Sequence, residues 1–232
     1  MIRLSVTLAL LLAPAPALAQ AYQCALPTGR ITVPRIERGP ETNVRVTGYM
    51  LAASWSPEFC RSRTRASTDP RQCSGRAGRF GMVLHGLWPQ GANRSPQWCR
   101  SVVTPTPADL RAMMCVTPSA RLLAHEWSKH GTCMSRQPAR YFAKSRELWS
   151  AVRWPDLDRL SRSKPLTVGN LRRALAEANP RWAASGIGIE VNRRGWLQGV
   201  RFCYRLDYRP TACRGGQLGP ADAARIAIWR GL

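Results

Sequence analysis

The chain has 232 residues, with 35 Lys or Arg against 13 Asp or Glu, for a formal charge of +22. Hydrophobic residues make up 44%, enough for a packed core, which argues against a disordered polycation. No apolar run reaches the ~20 residues of a membrane span, so a soluble mature protein without membrane insertion is expected, and the charge calls for an anionic partner such as nucleic acid, phospholipid headgroups or an acidic polysaccharide. Only Lys129, Lys144 and Lys164 are lysines. A compositional bias toward Arg explains that preference but not the scarcity of acids.

In chain order, residues 1–19 read as a secretory signal peptide. Arg3 gives a basic start, Val6 to Leu12 is apolar except for Thr7, and Ala17-Leu18-Ala19 is a small-x-small cleavage site. Pro14 and Pro16 argue against a buried helix. Cleavage after Ala19 removes one Arg, 22 − 1, leaving +21. No lipobox surrounds Cys24. The protein is therefore expected to be exported, periplasmic or extracellular, with residues 20–232 forming a single domain.

Val44 to Trp55 carries apolar residues on both faces and predicts a central strand; Phe80 to Leu84 predicts a second buried one. Between them, Arg61 to Arg79 holds six arginines and one acid, Asp69, and reads as a polar loop tied by Cys60 and Cys73. Ser119 caps a helix running to about Lys129 and closing near Gly131. A second helix covers about Pro138 to Arg153. Thr167 caps a third, with Val168, Leu171 and Leu175 on one face, ending before Asn179-Pro180. Ile187, Ile189 and Val191 then alternate as a strand, and Trp196, Val200, Phe202, Tyr204 and Leu206 share one face of another. Strands, then helices, then strands predict an α+β domain whose central, largely antiparallel sheet is flanked by helices.

All eight cysteines lie beyond the signal segment: Cys24, Cys60, Cys73, Cys99, Cys115, Cys133, Cys203 and Cys213. An even number in an exported chain fits four disulfides. No C-x-x-C pair exists, which disfavours structural zinc. Cys203 and Cys213 flank a turn containing Pro210 and form the easiest local pair.

The three histidines are concentrated. His85 opens His85-Gly86-Leu87-Trp88-Pro89. The other two lie in His125-Glu126-Trp127-Ser128-Lys129-His130-Gly131-Thr132-Cys133. On a helix Glu126 and His130 share one stripe, and His125 and Lys129 the next, while Leu123 and Trp127 hold the helix to the core. A zinc-protease motif needs histidines four apart. Here they are five apart, about 140° round the axis, and Lys129 stands where it would repel the metal. No Gly-x-Ser-x-Gly elbow supports a serine hydrolase. Two imidazoles can serve as general base and acid near neutral pH, and a Lys and a further His can neutralise a phosphorane. Few acids are present to hold Mg²⁺. That set suits metal-free phosphodiester cleavage, which needs a nucleophile on the substrate; RNA supplies its 2′-OH.

At these residues the sequence resembles the ribonuclease T-two family of secreted endoribonucleases. Leu84 to Pro89 is similar to its first active-site segment and His125 to Cys133 to its second. Ser54-Trp55-Ser56-Pro57-Glu58-Phe59-Cys60 is similar to the strand end preceding a Cys-bounded loop. The resemblance implies that His130 is the general base on the 2′-OH and His85 the general acid on the leaving 5′-oxygen. It implies that Glu126 and Lys129 stabilise the transition state and that His125 binds the phosphate. Trp88 matches an aromatic that stacks a base, although core packing explains it equally well. Gln90 stands where some members carry a base-reading Asp, so low base specificity is expected. The resemblance further implies an α+β fold and the disulfides Cys99–Cys133 and Cys203–Cys213, leaving Cys24, Cys60, Cys73 and Cys115 without assigned partners. The resulting expectation is a monomeric, metal-independent endoribonuclease with RNA as its partner and no cofactor. The alternative is a non-catalytic cationic binder of RNA or other polyanions on the same fold.

Overall fold

The computed structural model describes residues 21–22, 24–61, 63, 70–100 and 103–231. The signal-peptide expectation for residues 1–19 lies outside the described residues. The strands are β1 (Ala21–Tyr22), β2 (Gly48–Trp55), β3 (Arg79–Phe80), β4 (Met82–Gln90), β5 (Ile187–Val191) and β6 (Leu197–Tyr204). The helices are α1 (Ser56–Arg61), α2 (Pro70–Cys73), α3 (Pro107–Arg111), α4 (Ala120–Lys129), α5 (Pro138–Ser150), α6 (Leu157–Ser161) and α7 (Val168–Ala178). β4, β2, β6 and β5 form one antiparallel sheet in that order, and β1 pairs with β3. The fold is α+β, as the order of elements predicts.

β2 is central because both of its faces are apolar. Leu51, Ala53 and Trp55 enter the main core, while Met50 joins Cys203 and Cys213 on the other face. The strand starts at Gly48, not Val44, because its partner β4 ends at Gln90. β4 itself runs six residues beyond the predicted end at Leu84. Gly86 and Pro89 would weaken a central strand, but β4 is an edge strand, where Pro is tolerated.

Ser119 and Thr167 cap α4 and α7 as read. Ser119 Oγ accepts from the Leu122 amide at 3.2 Å and Thr167 Oγ1 from that of Asn170 at 3.2 Å. The second helix stops at Ser150, three residues short of the predicted Arg153. The segment predicted as a polar loop contains α2 and the start of β3, and α1, α3 and α6 are short helices that periodicity over one or two turns does not reveal. Val200, Phe202 and Tyr204 share the buried face of β6, with Trp196 and Leu206 just outside it.

The main core joins Leu51, Leu84, Leu87, Trp127, Trp149 and Phe202, all 2% exposed or less. Full burial of each such side chain contributes roughly 1.5–3 kcal/mol. The eight cysteines pair as Cys24–Cys115, Cys60–Cys73, Cys99–Cys133 and Cys203–Cys213. Both pairs implied by the resemblance are present, the tie across Cys60 and Cys73 is formed, and no cysteine is free for a metal.

Candidate active site

A β-bulge in β4 builds the site. Ala52 faces Gly86 and Ala53 faces Leu84, so His85 is the extra residue. Residues three apart on a regular strand point to opposite faces; the bulge returns His85 and Trp88 to the same side, with ring centroids 5.2 Å apart. Leu84 and Leu87 thereby stay in the core. Tyr141 of α5 braces the strand, its hydroxyl donating to the Leu87 carbonyl at 3.2 Å.

Helix α4 lies against this edge, held by Leu123 and Trp127 as predicted. It delivers Glu126, 2% exposed, onto the bulge. Glu126 Oε1 lies 3.3 Å from His85 Nε2, and Oε2 accepts the Trp88 indole N–H at 2.6 Å. Gly86 permits this approach, since a Cβ there would stand 2.8 Å from Glu126 Cδ and 2.7 Å from Trp88 Nε1. On its far side, His85 Nδ1 lies 3.2 Å from Ser54 Oγ on β2.

The helix ends at Lys129, and His130 is its C-cap, donating its amide to the Glu126 carbonyl at 3.0 Å. This ring stacks on Trp88, with centroids 5.4 Å apart and planes 30° from parallel. Trp88 thus touches both imidazoles and the carboxylate. Gly131 allows the chain to turn there, because a Cβ would press on the rings of Trp127 and Tyr141. His125 and Lys129, predicted on the neighbouring stripe, both stand near the Trp98 ring, at 5.5 and 5.9 Å from its centroid. Cys99–Cys133 holds that arrangement, beside a 2.7 Å bond from the Trp98 amide to the Lys129 carbonyl.

The two histidines on Trp88 are driven in opposite directions. For His130, burial disfavours the charged form, and the nearby cations Lys129, His125 and His85 add to that against the pull of Glu126, bringing its pKa down to about 4. For His85, burial also disfavours charge, but the hydrogen bond and negative charge of Glu126 outweigh it, and the pKa is raised. Burial would push Glu126 up, but His85, His130 and the Trp88 indole hold it below its usual value. Burial thus favours the neutral form of His130, while Glu126 favours the charged form of His85, so the two imidazoles are biased toward opposite protonation states.

Two side chains enter that the sequence reading did not assign. Ser54, within the Ser54–Cys60 segment, orients His85. Glu37, 88 positions before His125, contacts its Nδ1 at 2.7 Å. No local spacing signals a pairing across that distance. His85 and Ser54 border two cavities. One, of 290 Å³, reaches His125 and Glu37; the other, of 390 Å³, reaches Trp88, Glu190 and Asn192. Gln90 is engaged internally: its carbonyl accepts from Ser95 and Gln217 at 3.1 and 2.9 Å. Among the described residues, no three of His, Cys, Asp and Glu gather as a metal-ligand group.

The chain matches the model of the Ribonuclease T2 family over residues 46–167. A probable ribonuclease of Haemophilus influenzae is 38% identical over 138 residues, 54% of this chain and 50% of the relative. A ribonuclease of Aeromonas hydrophila is 42% identical over 85 residues, 37% of this chain and 36% of the relative. The chain thus spans half or less of the length of these curated relatives. Among solved structures, trichomaglin, described as an S-like ribonuclease, superposes with a TM-score of 0.62 at 19% identity, covering 79% of this chain and 97% of that one. An RNase-related protein from Calystegia sepium gives 0.61 at 18% identity, covering 80% and 98%, and RNase NT in complex with 5′-AMP gives 0.59 at 19%, covering 80% and 98%. At such identities the likeness is one of fold. The matched stretch exceeds half the chain and carries both histidine segments, and the chain belongs to the ribonuclease T2 family.

Proposed function

We propose that the protein is an endoribonuclease that cleaves single-stranded RNA by transphosphorylation, without a metal. His130, neutral above about pH 4, takes the proton of a 2′-OH, and the freed oxygen attacks the adjacent phosphorus. His85, whose raised pKa keeps it charged, gives its proton to the departing 5′-oxygen. The products are a 2′,3′-cyclic phosphate and a 5′-hydroxyl. In a slower second step the roles reverse: His85 activates water and His130 protonates the 2′-oxygen, leaving a 3′-phosphate. Glu126 and Lys129 stabilise the pentacovalent transition state and His125 holds the phosphate.

The observation that carries this reading is the convergence of two imidazoles on one indole, with a buried carboxylate that accepts the indole N–H at 2.6 Å and lies 3.3 Å from His85. The internal engagement of Gln90 supports low base specificity. Residues 20–232 act in this reading as one catalytic domain, exported to the periplasm or medium and working as a monomer. The test is incubation of the purified protein with RNA in EDTA, followed by analysis of the new ends. Cyclic phosphate ends that disappear in His85→Ala and His130→Ala, with RNA retention kept, are expected. Retention without cleavage in the wild type would identify a cationic binder instead.

A further inference from the structure

We propose that the protein carries a backbone-holding groove for single-stranded RNA that begins beside His85 and runs along α1 to Trp229 and Arg230. The inference rests on the RNA-cleaving reading and assigns a place to part of the charge which that reading leaves unused.

The cavity that holds His85 and Trp88 is also lined by Phe59, Arg63, Asn192 and Arg194. A second cleft of 470 Å³ shares Arg63 with it and is lined by Arg61, Arg79, Trp229 and Arg230. Five arginines therefore line these two clefts, which meet at Arg63. Two nearby carboxylates serve three of the five and leave the row in net positive charge. Glu58 is 8% exposed and takes Arg61 at 3.4 Å, Arg194 at 3.6 Å and the Asn192 amide at 2.8 Å. Asp158 lies 3.9 Å from Arg230 but is shared with Arg162 at 2.7 Å. Glu190 is paired with Arg201 at 3.1 Å. Among the described residues, no carboxylate forms an ion pair with Arg63 or Arg79.

Two of these guanidinium groups, those of Arg61 and Arg63, are held in place by aromatic rings before any ligand arrives. Arg61 lies between two indoles, 4.5 Å from the centroid of Trp196 and 4.3 Å from that of Trp229. Arg63 lies over the Phe59 ring at 3.7 Å, with one nitrogen on the Phe59 carbonyl at 2.6 Å. Stacking fixes long side chains that would otherwise lose rotamer freedom on binding, and a fixed guanidinium fork matches phosphate oxygens. A row of such groups continuous with the acid–base site fits a flexible polyanion whose phosphates recur along the chain.

Two readouts test the groove. The first is the ratio of KM for a dinucleoside monophosphate to KM for a ribo-dodecanucleotide. The second is binding of a deoxy-dodecanucleotide, which lacks the 2′-OH, by fluorescence anisotropy across a salt series. In Arg63→Ala/Arg194→Ala the KM ratio is expected to fall about tenfold, and the dissociation constant to rise about tenfold. The slope of log affinity against log salt is expected to drop by about 1 per arginine removed. Arg173→Ala, an exposed control on α7, is expected to shift neither readout. An unchanged ratio and dissociation constant in the double variant would overturn the groove. A wild type that binds the deoxy strand in an arginine-dependent way but cleaves no RNA would contradict the catalytic reading and leave the groove standing.

Discussion

Trp88 donates its indole N–H to Glu126 over 2.6 Å, and the same indole stacks on His130 and meets the edge of His85. The tryptophan is therefore the part that keeps a buried carboxylate and two imidazoles in register.

Replacing Trp88 with Phe keeps a ring but removes the donor. One oxygen of a carboxylate that is 2% exposed then loses its partner. Leaving a buried charged acceptor unsatisfied costs about 1–3 kcal/mol or more. Urea denaturation should show that loss, and kcat should fall by about tenfold or more as Glu126, no longer held by the indole, shifts against His85. A Trp88→Phe enzyme with wild-type stability and rate would show that the indole hydrogen bond is incidental.

Gly86→Ala places a methyl where Glu126 and Trp88 converge. The carboxylate must move, and misplacement by about an ångström costs on the order of 10²-fold in rate. The expected stability loss is about 1–3 kcal/mol, as for other overpacked sites. Rate and denaturation measured on one preparation separate the two effects. An Ala variant as active as wild type would mean that Glu126 does not need its present position.

The pH profile follows from the two shifts. The base must be neutral, so activity should rise through His130 at about pH 4. The acid must be charged, so activity should fall as His85 deprotonates, above its ordinary value of 6.5. A kcat/KM plateau between these limits is expected. In Glu126→Gln both imidazoles lose a negative neighbour, so both limbs should move to lower pH. Limbs that stay in place in that variant would remove Glu126 from the electrostatic account.

Stability should carry the same signature. The unfolded chain protonates His130 near pH 6.5 and the folded chain only near 4, so the unfolded state binds more protons in that window and stability falls as pH drops across it, by roughly 3 kcal/mol. His85 acts oppositely: its contribution is present below pH 6.5 and lost as pH rises through its raised pKa. Denaturation midpoints of wild type and His130→Asn between pH 4 and 7 should converge toward acid. Parallel curves would contradict the shift.

The site was legible in the sequence wherever its parts are neighbours along the chain. Glu126, Lys129 and His130 sit within five residues, and the spacing of Leu123 and Trp127 already turned that helix toward the core. What stayed hidden depends on contacts between distant segments. Glu37 meets His125 from 88 positions away. The bulge at His85 is set by pairing with Ala52 and Ala53, and it is why β4 continues past Leu84 through Gly86 and Pro89. The partners Cys24 and Cys115 lie 91 residues apart, whereas Cys203 and Cys213, only 10 apart, could be paired by proximity.

In the proposed reaction His130 and His85 act on a nucleophile that the substrate itself carries. A DNA strand containing a single ribonucleotide, incubated with the protein in EDTA, tests it most directly. One cut is expected, immediately 3′ of the ribonucleotide, leaving a 2′,3′-cyclic phosphate and a 5′-hydroxyl. Cleavage between deoxynucleotides, or a 5′-phosphate at the cut, would contradict it.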